Sequence, residues 1–509
     1  MQIYKLIAGN PWLARFVATV DGWIHGLDRR LANTAAWVIA ACLLFTLQAA
    51  LILGHWAWLD EWQALQIAVQ SPDLAALLHN LTYEGHPPLW YLILRWTAEF
   101  VPLLWVLPVV ALVLALITQS LILFASPFTR AERLMVAASQ FVLFEMLVVS
   151  RSLTLGTMLI VLALVLWQRR WVWLPIALLP MCDFLFGVVS IIFIALQWRR
   201  NALYWPGVAL WLVVGLAAAW TVLPAPDVVP ALADRAGFTG LGLFTSNLGL
   251  LLLPFQWEGF APTWNSRLPL MLMPILWLGF VLFIYAQTAR DSWNRAILFG
   301  LIGLGLVMSV ALYPLAFRHL VIIALMLIAL AWIDKLKGQD PVDPGFRVWL
   351  GMAAACGLFT SIVNFVQPFD RAHVAAAEIE RLGLENERWL ALRLDHAQGI
   401  PALTGMLFEN PSHDCLQSFV PWTSNFRPTQ RDEVQEFLEN RVASQGQFYM
   451  VTRLQFGFLP EDLAQKIAVI PGGYLGKDYE LYLVGPDAPK LPRDMPPCVP
   501  GTLPIRALP

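Results

Sequence analysis

The chain has 509 residues, of which 58% are hydrophobic and 13% charged, with a formal net charge of −2. A soluble globular chain carries about 25% charged residues, so this apolar excess is more than a buried core needs. Function classes that depend on a soluble fold are excluded for the first 365 residues, and no basic tract points to nucleic acid.

Residues 1–33 mix Lys5, Arg15, Arg29 and Arg30 with apolar residues and lack a short apolar core followed by a small-residue cleavage site. They read as a cytoplasmic amphipathic lead-in rather than a cleaved signal. Apolar runs then fall near 34–55, 102–124, 134–150, 153–168, 171–182, 184–198, 203–223, 268–287, 296–314, 319–333 and 348–365. Runs of this kind predict helices, because about 20 apolar residues cross the hydrocarbon and only internally bonded backbone is stable there. The expected fold is mainly α: a polytopic transmembrane domain over 34–365 with about eleven spans. Leu241–Phe255 could be a twelfth span, but that would put Lys335, Lys337 and Arg347 outside, so a re-entrant or surface-lying helix is expected there; 171–198 reads as two short spans or one bent element.

Lys and Arg in alternate gaps give the orientation. One set holds Lys5, Arg15, Arg29, Arg30, Arg130, Arg133, Arg169, Arg170, Arg199, Arg200, Arg290, Arg295, Lys335, Lys337 and Arg347. The other holds only Arg95, Arg151, Arg235, Arg267 and Arg318. The richer set belongs in the cytoplasm. The N-terminus is then cytoplasmic, and residues 366–509 form an exported soluble α/β domain.

In that domain helices are expected at Asp370–Leu384 and Thr429–Ala443, and strands at Trp389–Leu394, Phe448–Thr452 and Glu480–Val484. The tail from Pro486 reads as irregular. Cys42, Cys182 and Cys356 lie in or beside apolar runs, where burial explains them. Cys415 and Cys498 fall in the exported domain, where a disulfide is allowed but not required.

The first exported loop, 56–101, holds the densest chemistry. Asp60-Glu61 directly follows the first span, and Tyr83-Glu84-Gly85-His86-Pro87-Pro88-Leu89-Trp90-Tyr91 comes later in the loop. Neighbouring carboxylates at a low-dielectric boundary suit a base paired with a binding or metal-contacting group. The same topology puts Glu145, Arg151, Asp183, Arg318 and His319 on that membrane face. Singly, these residues read as span-end anchors and His86 as a hydrogen-bonded core histidine. Together they describe a cleft with carboxylates for chemistry and cations for an anionic group such as phosphate.

At these residues the chain resembles the GT-C superfamily of membrane glycosyltransferases, in particular its bacterial branch of protein mannosyltransferases and aminoarabinose transferases. Asp60-Glu61 and Gly85-His86-Pro87-Pro88-Leu89-Trp90-Tyr91 carry the likeness, with Arg151 and Arg318-His319 in support, across most of 34–365. Ser152-Leu153 departs from the aromatic that often follows the arginine. The resemblance implies a polyprenyl-phosphate sugar donor in the lipid bilayer and a glycan, lipid or protein acceptor, with inverting transfer at the exported face of a bacterial inner membrane. Asp60 would be the general base, with Glu61 orienting it or the acceptor, or assisting a metal. Arg151, Arg318 and His319 would hold the leaving phosphate, His86 would shape the donor site, and Glu84, Glu145 and Asp183 would line the cleft. A divalent cation serves some relatives; with no Asp-x-Asp in the loop, no obligatory cofactor is expected here. The competing classes are a transporter or flippase, disfavoured by the lack of an internal repeat, and an inactive membrane partner that keeps the fold.

Overall fold

The structure is a computed structural model describing residues 11–228, 237–255, 272–340, 342–394, 397–411, 413–422, 433–454, 456–473, 477–492 and 495–499. Among these, five helices are long and apolar enough to cross a membrane: Thr34–Leu53, Leu103–Ala125, Ser292–Ala311, Phe317–Leu336 and Pro344–Val366. The expectation of about eleven spans is overturned. The runs near 153–168, 184–198, 203–223 and 268–287 become helices Ser152–Val165, Phe184–Arg199, Trp205–Thr221 and Met273–Gln287, of 14, 16, 17 and 15 residues. At ~1.5 Å per residue such helices reach about 21–26 Å, short of about 30 Å of hydrocarbon. The run near 171–182 breaks into a 3₁₀ turn, a six-residue helix and a second 3₁₀ turn. The run near 134–150 is also broken, with an α-helix ending at Ala138 and a π-helical segment following over Gln140–Met146. Within Leu241–Phe255 the helix Phe238–Leu250 has 13 residues, too short for a twelfth span. Trp349 Nε1 donates to the Leu251 carbonyl at 2.8 Å just beyond its end.

The chain forms two compact units. The first comprises Met1–Gly54, Ala111–Ala219 and Pro230–Val366, and the second His55–Val110, Trp220–Val229 and Gln367–Pro509. In the first, helix Phe317–Leu336 is central, with every residue from Leu320 to Asp334 buried. Charged side chains draw several connections of this unit together. Arg347 pairs with Asp21 at 2.8 Å and Glu132 at 3.1 Å, and Lys335 with Glu132 at 3.0 Å. Arg199 pairs with Asp291 at 2.8 Å, and Gln287 donates to Asp343 at 3.0 Å. These residues all come from segments that the cation count assigns to a single membrane face.

Polar groups inside the unit answer broken backbone. Gln48 Nε2 donates to the Leu143 carbonyl at 3.3 Å, and Gln119 Nε2 to the Ala137 carbonyl at 3.0 Å, where the helix stops. Helix Pro344–Val366 passes so close that a Cβ on Gly357 would lie 2.2 Å from the Ala138 carbonyl oxygen. Only glycine fits there. Of the three unpaired cysteines, Cys182 and Cys356 are buried as expected, whereas Cys42 is exposed on helix Thr34–Leu53.

The second unit contains a mixed six-stranded sheet of order β3-β2-β1-β4-β6-β5. Its strands are β1 Trp389–Ala391, β2 Phe408–Glu409, β3 Leu416–Gln417, β4 Phe448–Thr452, β5 Ala464–Ile470 and β6 Tyr479–Val484. β1 runs parallel to both β2 and β4, and the remaining pairs are antiparallel. Buried on both faces, β1 turns Trp389 and Ala391 to a core shared with Ala375, Ile379 and Ile400, and Leu390 to one shared with Val434 and Leu438. Helices Ala372–Arg381 and Gly399–Thr404 thus cover one face and Val434–Gln445 the other. The expected strands coincide with β1, β4 and β6, while β2, β3 and β5 and the short helix at 399–404 had escaped the sequence pattern. Thr429, which opens the second expected helix, lies outside the described residues. The tail is tied down: Cys498 bonds Cys415, 83 residues earlier, and Leu416 bridges Pro497.

Glu409 is the charged anchor of this sheet. Burial pushes its carboxyl up, but hydrogen bonds from Arg388 and Arg441, each at 2.8 Å, and their charges outweigh burial and hold it below the usual range. A depressed carboxyl stabilises the fold above its unfolded-state pKa, about 4.3 for Glu, and that contribution is lost as pH falls through the folded value. Thermal unfolding of the full chain in detergent should show stability declining below about pH 4. Glu409→Ala, which strands two guanidinium groups, should cost about 3–5 kcal/mol at neutral pH. An unchanged midpoint would contradict the anchoring role.

Candidate functional site

Asp60 and Glu61 open helix Leu59–Gln70 in the second unit, and the structure gives them different environments. Glu61 is fully buried. One of its oxygens accepts from the Trp58 backbone N–H at 3.1 Å and lies 2.9 Å from His55 Nε2. A carboxylate can sit out of water only where donors replace the lost hydration, and these two do so while capping the helix. Asp60, one residue earlier, is only half-buried. As an acidic residue in the first turn it lies at the positive end of the helix dipole.

The rest of this helix is fixed along its length. Every residue from Glu61 to Gln70 is buried, so its polar stripe Gln63, Gln66 and Gln70 must find partners inside the unit. Gln63 Nε2 donates to the Val420 carbonyl at 2.8 Å and to Glu84 Oε1 at 2.6 Å, and its oxygen accepts from the Val420 N–H at 3.0 Å and from the Gln398 side chain. Gln66 donates to the Gln398 carbonyl at 2.8 Å, and the Ser418 hydroxyl to Gln70 at 2.7 Å. At the far end Arg95 donates to the carbonyls of Ala68, in the last turn, and of Ser71 and Pro72 just beyond it. Trp62 Nε1 donates to the Ala57 carbonyl at 2.8 Å, and Gly399 leaves room for that indole, since a Cβ there would lie 3.0 Å from it.

Glu84 and His86 belong to the same unit. Gly85 between them adopts φ +67°, a conformation that suits glycine, and its N–H reaches back to the Leu81 carbonyl. Buried Pro87 and Pro88 then lead into helix Leu89–Ala98. The Gln63 bond thus ties Glu84 directly to the helix of Asp60. Tyr83 donates to Asp227 at 3.1 Å, and partial burial together with that carboxylate raises its phenol above the ordinary range.

Around His55 aromatic rings close in. Phe369 lies 5.1 Å from its ring, Trp58 packs edge-on to Phe369, and His373 stacks on Trp56 at 3.5 Å. Burial lowers the His373 pKa, against a smaller opposing pull from Asp370.

Glu145, Arg151, Asp183, Arg318 and His319 belong to the first unit. Glu145 is buried in the π-helical segment, accepting from Gln140 at 3.1 Å; such insertions often accompany functional sites. Arg151 stands at the N-cap of Ser152–Val165. Asp183 is buried and caps helix Phe184–Arg199, accepting from the Leu185 N–H at 2.9 Å. Arg318 is half-buried in the first turn of Phe317–Leu336. His319 Nδ1 accepts the Ala316 N–H at 3.1 Å, which leaves Nε2 as the protonated, donating nitrogen of the neutral ring.

Sequence reasoning missed His55, the glutamine stripe and the capping role of Arg95. The glutamines had a signal, since polar residues at i, i+3 and i+7 of an otherwise apolar helix imply buried partners. Among the described residues no three His, Cys, Asp or Glu side chains are grouped to hold a metal ion. No protein-family model matches the chain, and no curated protein shows significant similarity to it.

Gln63 joins its helix to three residues, Glu84, Gln398 and Val420. Gln63→Ala leaves the Val420 amide and carbonyl and the Glu84 carboxylate without it, at about 1–3 kcal/mol for each buried group stranded. The expected outcome is a total loss of at least about 3 kcal/mol in detergent unfolding, with faster proteolysis within 55–100. A variant as stable as wild type would show that the stripe does not hold the loop.

Proposed function

We propose that this polytopic membrane protein is a glycosyltransferase. It takes a sugar from a polyprenyl-phosphate donor in the bilayer and passes it to a hydroxyl-bearing acceptor. The observation that carries this reading is the division between adjacent carboxylates: Glu61 is buried as a structural cap, while Asp60 keeps solvent access at the helix N-terminus it secures. A general base needs that access, and it needs a position that does not drift.

In the proposed step the acceptor oxygen attacks the anomeric carbon as its proton passes to the Asp60 carboxylate. The bond from the anomeric carbon to the phosphate oxygen breaks, and the electron pair leaves with the polyprenyl phosphate. One direct displacement inverts the anomeric centre. Arg151 and Arg318, with the Nε2–H of His319, are assigned to the departing phosphate, whose charge grows as the bond breaks. Glu61 and His55 position Asp60, and His86 is assigned to the donor sugar. These assignments rest on the resemblance, carried by the first loop and by Arg151 and Arg318-His319. The Cys415–Cys498 bond supports an exported placement of the C-terminal domain, because such bonds persist in oxidising compartments. The proposed location is a bacterial inner membrane, with the Arg347, Lys335 and Glu132 cluster on the cytoplasmic side.

Purified protein in lipid nanodiscs, supplied with radiolabelled polyprenyl-phosphate sugars and a membrane extract, tests the assignment. Asp60→Asn should retain the wild-type unfolding midpoint and lose transfer by about 10²–10⁴-fold, the usual worth of a general base. Transfer should persist in EDTA, as expected from a loop without Asp-x-Asp. Equal transfer by wild type and Asp60→Asn would remove Asp60 as the base.

A further inference from the structure

We infer that helix Pro11–Leu31 is an in-plane membrane element, seated in the headgroup region of the leaflet where helix Thr34–Leu53 begins. Three separate sides of this helix follow from ~100° per residue. Asp21, Ile24, Asp28 and Leu31 fall within an arc of about 80°, and this side is docked on the first unit. Asp21 pairs with Arg347 at 2.8 Å, Asp28 accepts from the Ala131 N–H at 3.1 Å, and Ile24 and Leu31 are buried. Trp12, Phe16, Trp23 and Leu27 share a second arc of about 60°, which Arg30 joins in the last turn, and all are exposed, Trp23 at 71% and Phe16 at 53%. Arg15, Ala18, Gly22 and Arg29 occupy a third arc, also exposed.

The docked side fixes how the helix lies. Asp21 and Asp28 are seven residues apart, about 10 Å along the axis. Asp21 is held at the first turn of span Pro344–Val366, and Asp28 at the first turn of helix Arg130–Ala138. Arg130 in turn donates to the carbonyls of Leu31 and Ala32. A helix secured at both points lies across the ends of these elements instead of projecting away from them. Only Ala32 and Asn33 separate it from the span at Thr34, and Asn33 caps that span through the N–H groups of Ala35 and Ala36. Such a short link holds the end of the helix at the depth where the span enters hydrocarbon.

At that depth the occupant of the aromatic side is lipid. Trp and Phe belong at the boundary between headgroups and acyl chains, where an aromatic ring buries its apolar body. Arg15 and Arg29 on the adjoining side, and Arg30, complement anionic headgroups. Helix Thr34–Leu53, which follows directly, likewise exposes Val38, Ile39 and Leu43.

The test uses the full chain in nanodiscs of phosphatidylethanolamine and phosphatidylglycerol. Cys42→Ala removes the exposed thiol; Cys182 and Cys356 are buried, and Cys415 is bonded to Cys498. An environment-sensitive fluorophore is then placed singly through Phe16→Cys, Trp23→Cys or Leu27→Cys, and through Ala18→Cys or Gly22→Cys. All five positions are exposed, and a side chain at Gly22 meets nothing within 4 Å, so folding should survive at most or all of them. At 16, 23 and 27, a quencher carried on shallow lipid positions should act at least about fivefold more strongly than aqueous iodide; at 18 and 22 the order should reverse. Iodide dominating at all five positions would overturn the inference. So would disulfide crosslinking between copies through Trp23→Cys together with loss of lipid quenching, since the covering surface would then be a second copy.

Discussion

Glu61 has no exposed surface, and a charged group in that state endures only where fixed donors stand in for water. The Trp58 amide and the His55 ring supply them, both from the six residues before it. Two consequences follow from this one carboxylate. The start of helix Leu59–Gln70 is defined to the residue, and Asp60 is presented from a turn that cannot unwind without stranding a buried charge. Arg95 closes the other end of the helix, and the glutamine stripe holds its middle against Gln398, Ser418 and Val420. The first loop is thereby a packed element of the second unit, not a tether between spans.

The first unit obeys a related constraint under harsher conditions. Where helical hydrogen bonding lapses around Ser139, side chains must answer the released carbonyls, and Gln48 and Gln119 do so from neighbouring helices. Gly357 lets a third helix close over the break. Hydropathy registers such a segment as one more apolar run. Composition therefore overstates the number of spans: it records where lipid-compatible residues occur, but not where a helix stops at Ala138 or splits at 171–182. Arg347, Lys335 and Arg199 meet acidic partners from other segments of the set their charges had placed on one face.

In the candidate site, residue types were legible and roles were less so. The Asp60-Glu61 pair could be found from the sequence, but only the fold tells the cap from the solvent-accessible carboxylate. Asp183 and His319, read as cleft residues, each also serve a helix terminus. That duty depends on where the helix starts, which periodicity gives poorly. Arg95 looked like an exported cation and proves to be a helix cap. The strands β1, β4 and β6 were readable because they are apolar and bounded, whereas β2 and β3 have two residues each and are set by pairing alone.

In the proposed reaction, a base held at a secured helix terminus, a membrane-soluble donor and a phosphate leaving group make a single displacement the simplest chemistry. Its stereochemical result bears most directly on the proposal, because inversion follows from one attack on the anomeric carbon and not from an enzyme-bound glycosyl intermediate. The measurement is the anomeric configuration of the product, read by NMR after incubating the full-length protein in nanodiscs with a polyprenyl-phosphate sugar of defined configuration and a membrane acceptor. Product of opposite configuration to the donor is the expected result. Retained configuration, or transport of the intact donor without transfer, would contradict it.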